Sequence, residues 1–356
     1  MTVYVLVAVF LLIGSMSDQK KNTYKLGFLI LFLLTALRNP KLAGNDYYGY
    51  SYYFAEMPSL LQGKSIQDGY YEVGFNLLNA LVKIFSDEYV VFQIAYTVLI
   101  FLLMYLVIRE LQLTDRQKCL FLFSFFCFHF IWDTWVILRQ NLADWIYWLL
   151  MILFYKCPAK NKRRKRILIA LAILLPILFH TTAKLNIVLL PAMLIIGKVS
   201  SKDRLILVPI ISLFLFVAGD AIYKFALSLV LPYMRAYMAT YTMTKSNSVN
   251  YFIRLILFVL FTMHYEAEEN PNKKLMLDTF TMMVLIGSFN NEATTRMYEY
   301  YAIGMYSSMA LILNSFKGKL RKIIYLLYGF AMIFILVRFV LTFDGGQMFI
   351  KYSLFF

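Results

Sequence analysis

The chain has 356 residues, of which 61% are apolar and 15% are charged. A soluble domain usually has about 45–50% apolar and about 25% charged residues, so this composition excludes a disordered chain, a disulfide scaffold and an ordinary cytosolic enzyme. Lysine and arginine total 35 against 20 aspartate and glutamate, which gives a net charge of +15. Because apolar stretches recur along the chain, this excess indicates the basic cytoplasmic loops of a polytopic membrane protein, and not nucleic-acid binding.

The apolar stretches predict an all-α fold with about twelve membrane-spanning helices in a single domain, residues 1–356. The first stretch has no basic segment before it and no clear small-residue cleavage site, so we interpret it as a retained span and not as a signal peptide. In chain order the predicted spans are 2–16, 24–37, 88–108, 117–136, 140–156, 166–180, 184–197, 204–218, 251–264, 275–290, 297–314 and 322–342.

Basic residues between these spans predict the orientation. The densest cluster lies between 156 and 166 and should be cytoplasmic. Counting outward from it places about 22 basic residues inside and about 11 outside, provided that the ambiguous run 72–86 does not cross the membrane. We therefore predict both termini outside, outer-face loops at 38–87 and 219–250, and an amphipathic or re-entrant segment at 72–86.

All four tryptophans flank the turn between the fourth and fifth predicted spans, at 132, 135, 145 and 148. Tryptophan favours the membrane interface because its ring is apolar and its N–H is polar. We interpret them as an interfacial aromatic belt, with a sugar-stacking platform as the alternative.

The predicted topology collects polar side chains from distant segments at the outer ends of the spans. Ionisable groups at membrane depth are costly unless they face a cavity or a partner, so this set predicts a site that faces the exterior. Residues 167–197 must also cross twice, at roughly 23 Å per crossing against a hydrocarbon core of about 30 Å, so the turn at His180 should be recessed. The set is Arg38, Asp46, Glu72, Arg139, Gln140, His180, Lys184, Asn290, Asn291, Glu292, Arg296 and Glu299.

The residue types in this set favour one chemistry. The sequence has no P-loop, no zinc-ligand spacing and no Gly-x-Ser-x-Gly elbow, and only 3 histidines, so we expect no metal and no other cofactor. The planar fork of arginine suits a pyrophosphate, and a carboxylate or histidine can act as general base on a sugar hydroxyl. We expect glycosyl transfer with a lipid pyrophosphate leaving group. The base is open between His180, which the recessed turn favours, Glu72 and Asp46.

Five segments along nearly the whole chain form an ordered series of motifs. They are Arg38 with Gly44-Asn45-Asp46-Tyr47-Tyr48-Gly49-Tyr50, Tyr71-Glu72-Val73-Gly74-Phe75, Arg139-Gln140-Asn141-Leu142-Ala143, His180-Thr181-Thr182-Ala183, and Thr295-Arg296-Met297-Tyr298-Glu299-Tyr300-Tyr301. The series resembles the EpsG family of Wzy-type polysaccharide polymerases. It departs from the family pattern in a longer connection after Arg38 and in Thr182 where serine is usual.

The resemblance implies that the protein joins oligosaccharide repeat units, carried on undecaprenyl pyrophosphate, into O-antigen, capsule or exopolysaccharide at the outer face of the bacterial plasma membrane. A chain-length regulator and a flippase in the same membrane are the expected partners. The expected catalytic residues are His180, Glu72 and Asp46. The residues expected to bind pyrophosphate or sugar are Arg139, Arg38, Arg296, Gln140, Tyr47, Tyr50, Lys184 and Tyr300.

Three other functions remain as alternatives. An O-antigen ligase-like transferase would favour a large periplasmic loop, whereas 219–250 is of moderate length. A transporter or flippase of the lipid-linked unit would need cations through the middle of the membrane, where Arg254 and Arg338 come closest. A structural or sensor protein would leave the outer polar set unexplained.

Overall fold

The computed structural model describes residues 1–16, 22–43, 45–63, 71–229, 248–265, 270–289, 292–342, 349 and 352–354, and over these residues it is all-α. One isolated antiparallel bridge joins Arg38 to Leu354. The described helices are α1 (Thr2–Met16), α2 (Thr23–Ala36), α3 (Asn45–Glu56), α4 (Val73–Val82), α5 (Tyr89–Glu110), α6 (Asp115–Phe125), α7 (Leu138–Lys156), α8 (Lys162–Ile177), α9 (Asn186–Ile196), α10 (Ser201–Leu229), α11 (Ser248–Met263), α12 (Pro271–Gly287), α13 (Glu292–Tyr298), α14 (Ile303–Ser315) and α15 (Gly318–Thr342).

Short helical pieces complete the described fold. Two π-helical segments, Phe126–Phe130 and Trp132–Val136, continue α6, and 3₁₀ turns cover Pro40–Ala43, Leu60–Gln62, Thr181–Leu185 and Glu299–Tyr301. The turn at Thr181–Leu185 links α8 to α9, at the place where the sequence predicted a recessed connection between two spans.

Helix length and composition identify α5 and α15 as long and apolar enough to cross a membrane, with 22 and 25 residues. Several shorter apolar helices accompany them, including α1, α2 and α4. The ten residues of α4 extend only about 15 Å, half of a hydrocarbon core, which agrees with the expectation that 72–86 does not cross. The count of twelve spans stays a prediction.

Large apolar side chains cover the outward faces of the long helices. On α15, Leu327 and Phe330 are 66% and 76% exposed, and on α10 Val217 is 82% exposed. Extended apolar surfaces of this kind are unfavourable in water and suit contact with lipid. Together with the apolar helices, they make this a membrane protein.

The described residues pack as two compact units. Unit 1 comprises Met1–Leu150, Ala170–Thr181 and Phe316–Phe356. In it, α1 packs against α2, α6 and α15, and α5 packs against α2. Buried hydroxyls tie these helices together, since the Ser124 and Tyr328 hydroxyl oxygens lie 2.8 Å apart.

Three of the four tryptophans belong to the interior of unit 1. Trp135 and Trp145 are fully buried and Trp148 is 2% exposed. The Trp135 indole N–H donates to Thr35 Oγ1 at 3.3 Å, and Trp145 and Trp148 meet edge to face at 4.7 Å. The interpretation as an interfacial belt is wrong for these three, because protein contacts and not lipid or water surround their rings.

Unit 2 comprises Met151–Ile169 and Thr182–Ser315. Its central helix is α12, which is buried along most of its length and packs against α9, α10, α11 and α14. The structure corrects one predicted boundary here, because α10 continues beyond the predicted span end at 218 as far as Leu229. Residues 230–247 of the predicted outer loop lie outside the described residues.

The other predicted outer loop, 38–87, is more regular than expected. It contains α3 and α4 and two 3₁₀ turns. The sequence of α3 is rich in tyrosine, contains Gly49 and carries no apolar stripe, so it did not indicate a helix.

Candidate functional site

An ion pair in unit 1 joins two residues of the predicted outer set. Arg139, in the first turn of α7, donates from Nη1 to Glu72 Oε2 at 2.5 Å. Glu72 stands at the N-terminal cap of α4. Both side chains are partly accessible, Arg139 at 24% and Glu72 at 14%. The pair therefore lies at the edge of the packed interior, where a ligand can compete for the guanidinium.

The second carboxylate oxygen of Glu72 holds the turn that follows α8. Glu72 Oε1 accepts hydrogen bonds from the Thr181 backbone N–H at 2.8 Å and from the Thr181 hydroxyl at 2.7 Å. Burial raises the pKa of Glu72, but the hydrogen bond from Thr181 and the charge of Arg139 outweigh it and hold that pKa below its usual value. Glu72 is therefore an ionised bridge between Arg139 and the turn that carries His180.

A close backbone contact fixes the same turn against the start of α4. The Gly74 N–H donates to the Leu178 carbonyl at 2.7 Å. A Cβ added at Gly74 would lie 2.7 Å from that oxygen and 3.0 Å from the Phe179 ring, so a larger residue would push the two segments apart. This contact explains why the segment Tyr71–Phe75 needs glycine two residues after its glutamate.

Aromatic side chains support the guanidinium of Arg139. Its Cζ lies 4.3 Å from the centre of the Tyr71 ring, and its side chain also hydrogen-bonds Tyr50. Tyr71 packs edge-on against Tyr53 at 4.5 Å, and the Tyr53 hydroxyl donates to Asn76 Oδ1 at 2.6 Å. Arg139 Nε is buried and has no hydrogen-bond partner within the described part of the chain. The guanidinium is thus held by a cation–π contact and retains one N–H donor for a ligand.

Arg38, the other predicted phosphate ligand of unit 1, is almost fully buried at 1% exposure. It donates to the Pro40 carbonyl at 3.3 Å and lies 5.4 Å from the Trp135 ring centre. Burial lowers its pKa to about 10, so it stays charged at neutral pH. These contacts give Arg38 a role in packing, and its role as a phosphate ligand stays a prediction.

The remaining predicted residues of unit 1 differ in exposure. Asp46 is exposed in the first turn of α3, and Tyr47 is half-buried with its ring against Tyr48 and Tyr89. Gln140 is buried in α7. His180 is half-buried immediately before Thr181.

Unit 2 holds the predicted residues from the later motifs. The Tyr300 and Thr182 hydroxyl oxygens are 3.2 Å apart, and Lys184 is exposed in the 3₁₀ turn that contains Thr182. Arg296 is half-buried in the last turn of α13, and Glu299 is buried. Asn290, Asn291 and the side chain of Glu292 lie outside the described residues.

A sequence model of the EpsG family matches residues 21–354. The chain belongs to the EpsG family. That family is associated with polysaccharide polymerases, so this member is a membrane protein of polysaccharide biosynthesis. No curated protein and no solved structure matches the chain.

The structure shows how three of the ordered motifs of this EpsG protein contact one another. The second, third and fourth motifs meet in unit 1 through Glu72, Arg139 and Thr181. Tyr71, Gly74 and Thr181 stood in the motifs but were not predicted as site residues, because their contacts exist only in the folded chain. No group of three or more His, Cys, Asp or Glu side chains that could hold a metal ion occurs among the residues that are described.

Arg254 of this EpsG protein, which the sequence placed within a predicted span, has buried contacts that the sequence did not indicate. It lies in α11, is 2% exposed, and stacks 4.4 Å from the Tyr298 ring centre. Two of its nitrogens, Nε and Nη2, are buried without a hydrogen-bond partner in the described ranges. Buried arginines of this kind are rare in membrane helices and are usually functional.

Proposed function

We propose that this protein is a polymerase that joins undecaprenyl-pyrophosphate-linked oligosaccharide repeat units into O-antigen, capsule or exopolysaccharide. The reaction is a metal-independent glycosyl transfer at the outer face of the plasma membrane. The observation that carries this proposal is Arg139, which Glu72 and Tyr71 hold beside the turn of His180. Membership of the EpsG family supports the same reaction class.

Arg139 is assigned to the pyrophosphate of a lipid-linked substrate. A guanidinium binds phosphate oxygens through two parallel hydrogen bonds, and its charge stabilises the negative charge that develops on a pyrophosphate leaving group. Tyr50, which hydrogen-bonds Arg139, is proposed to contact the same substrate. Arg38, Arg296, Lys184, Gln140, Tyr47 and Tyr300 remain further proposed contacts for phosphate or sugar.

Glu72 is better assigned to positioning than to proton transfer. Both of its oxygens accept hydrogen bonds, and its lowered pKa makes it a weak base. His180 is therefore the preferred base, with Asp46 as its rival. In the proposed step the acceptor hydroxyl loses its proton to His180 while its oxygen bonds to the anomeric carbon. The bond from that carbon to pyrophosphate breaks, and undecaprenyl pyrophosphate leaves with the electron pair.

The membrane placement is part of the proposal. Twelve spans with both termini outside would put Glu72, Arg139 and His180 at the exterior, where lipid-linked units are polymerised. A flippase that delivers the units and a chain-length regulator are the proposed partners.

The test is polymerisation by purified full-length protein supplied with lipid-linked repeat units, read as a ladder of products on a gel. A ladder that persists with a chelator is expected from the wild type. Arg139→Lys should lose it, whereas Arg109→Lys, which changes an exposed arginine paired with Glu110, should keep it. Single transfer without a ladder would indicate a ligase-like enzyme, and transbilayer movement of the lipid without transfer would indicate a flippase. Either result would contradict the proposal.

A further inference from the structure

A cleft of about 430 Å³ lies in unit 2 and contains no residue assigned to glycosyl transfer. Three lysines line it, Lys165, Lys198 and Lys274, together with Tyr155, Asn270 and Asp278. Apolar side chains form the rest of its wall. The cleft is thus a concave, cationic surface with an apolar side.

The floor of the cleft is a closed hydrogen-bond network around Asp278, which is 1% exposed. Asp278 Oδ1 accepts from Arg204 Nη1 at 2.7 Å, and Oδ2 accepts from the Tyr155 hydroxyl at 2.5 Å and from Lys274 Nζ at 3.1 Å. Arg204, itself 2% exposed, also donates to the Val199 carbonyl at 3.0 Å. Among the described residues, the one carboxylate that lines the cleft is therefore already neutralised by neighbouring side chains.

A hydrogen bond and close contacts also fix the rim of the cleft. Lys274 Nζ donates to the Gly197 carbonyl at 2.6 Å, which ties α12 to the end of α9. A Cβ at Gly197 would lie 2.8 Å from Asp278 Oδ2, so only glycine allows this approach. Lys165 Nζ lies 5.2 Å from the Phe154 ring centre. Lys165 and Lys274 are thus held by defined contacts with the surrounding helices.

The residues of the cleft that the structure describes carry a net positive charge. Arg204 offsets Asp278, which leaves the three lysine charges in excess, and Lys165 and Lys198 are the two that lie outside the Asp278 network. The N-terminus of α12 adds partial positive charge at Asn270 and Pro271, which line the same cleft. A ligand with a compact negative group and an adjoining apolar part fits this combination.

We propose that this cleft binds the phosphate of an anionic phospholipid headgroup. The charge distribution of the chain places 156–166, 198–204 and 273–274 on the cytoplasmic side, where anionic lipids meet basic pockets between membrane helices. The lysines contact the phosphate, and the apolar wall contacts the start of the acyl chains.

The experiment measures lipid binding to the full-length protein by native mass spectrometry, with phosphatidylglycerol, phosphatidylcholine and inorganic phosphate as probes. Lys165→Gln/Lys198→Gln removes two cleft charges and leaves Lys274, which serves the Asp278 network. Lys319→Gln/Lys322→Gln removes two exposed lysines of α15 and is the matched control. We expect phosphatidylglycerol to bind preferentially, the cleft variant to lose affinity roughly 30-fold, and the control to change it less than about threefold.

Four outcomes would overturn the proposal. One is equal binding of phosphatidylglycerol and phosphatidylcholine, another is an equal loss in both lysine variants. The third is displacement of the lipid by inorganic phosphate at the same concentration, which would identify a free-phosphate site. Glu266, Glu268 and Glu269 precede Asn270 in sequence and lie outside the described residues, so Glu266→Gln/Glu268→Gln/Glu269→Gln is included. Unchanged or tighter lipid binding is expected from it, and weaker binding would indicate a cationic ligand and also overturn the proposal.

Discussion

The described part of each unit contains an arginine–carboxylate pair that joins two distant segments of the chain, but the two pairs differ in accessibility. In unit 1, Arg139 meets Glu72 at 2.5 Å with side chains that are 24% and 14% exposed. In unit 2, Arg204 meets Asp278 at 2.7 Å with side chains that are 2% and 1% exposed. A buried pair serves the fold, because removing one partner leaves an uncompensated charge in a low-dielectric interior. A pair at the edge contributes less stability and leaves its arginine able to bind a ligand.

The carboxylates show the same contrast. Asp278 gathers Arg204, Tyr155 and Lys274 from three segments of unit 2 and acts as an internal tie. Glu72 instead orients one arginine and one turn, those of Arg139 and His180, which the proposed reaction uses. The two ion pairs thus have similar geometry but different roles, and the difference between them is the degree of burial.

The largest expected difference between the pairs is in stability. Arg204→Met should destabilise the protein by about 3 kcal/mol, because Asp278 would lose its buried counter-ion and keep only the half-exposed Lys274 as an ion-pair partner. Arg139→Met should cost about 1 kcal/mol or less. Thermal unfolding in detergent would show the first as a fall in Tm of roughly 10 °C. Equal shifts for the two variants would remove the distinction between a structural and a functional pair.

The next largest effect concerns the contact that places the His180 turn. Gly74→Ala should reduce the polymerisation rate about 100-fold, because the new methyl group displaces the Leu178 carbonyl and a misplacement of about 1 Å is enough for such a loss. Gly49→Ala is the control, since its Cβ would meet only the Tyr71 hydroxyl at an ordinary 3.6 Å. Initial rates of ladder formation check this, and similar rates for both variants would show that the contact does not matter.

The pH dependence separates the positioning carboxylate from the base. The lowered pKa of Glu72 means that its contacts stabilise the folded state fully above the usual value of 4.5 and are lost only as the pH falls through the lower folded pKa. Glu72 therefore predicts no change between pH 5 and 8. A His180 base predicts a rate that falls about tenfold per pH unit below about pH 6–7. A rate profile with Tm measured at each pH tests this, and a flat rate down to about pH 5 would exclude His180 and favour Asp46.

The smallest expected effect is that of one hydrogen bond in the turn. Thr181→Val removes the hydroxyl donor to Glu72 but keeps the backbone donor. A hydrogen bond to a charged group contributes about 1.5 kcal/mol, so we expect roughly a tenfold loss of rate with little change in Tm. Thr182→Val, which alters the contact with Tyr300, is a comparison within the same motif. Full activity of Thr181→Val would mean that the backbone bond alone holds the turn.

The sequence predicted the helices whose boundaries follow apolar composition. The predicted spans 24–37, 88–108 and 140–156 correspond to Thr23–Ala36, Tyr89–Glu110 and Leu138–Lys156. It did not predict α3 or the extension of α10 to Leu229, since a helix can continue through residues that give no apolar signal. Tryptophan chemistry alone could not distinguish a lipid interface from a protein interior, and the interior was correct for Trp135, Trp145 and Trp148.

The site was predictable in its members but not in their contacts. Loop charges and motifs placed Glu72, Arg139 and His180 on one face, and the structure joins the first two directly. Which carboxylate oxygen meets which donor depends on the packing of α4 against the end of α8, so the engagement of both Glu72 oxygens could not be predicted. The burial of Arg38 follows from Trp135 and the bridge to Leu354, which are long-range contacts that no local pattern shows.

The central claim is that the Arg139 guanidinium binds the pyrophosphate of the lipid carrier. The most direct measurement is the dissociation constant of undecaprenyl pyrophosphate for the purified wild type, Arg139→Lys and the control Arg109→Lys, at one fixed lipid composition and salt concentration. The proposed site predicts at least a tenfold weaker Kd for Arg139→Lys, because an ammonium group cannot replace the bidentate contact, and an unchanged Kd for Arg109→Lys. An unchanged Kd for Arg139→Lys in a folded protein would contradict the account.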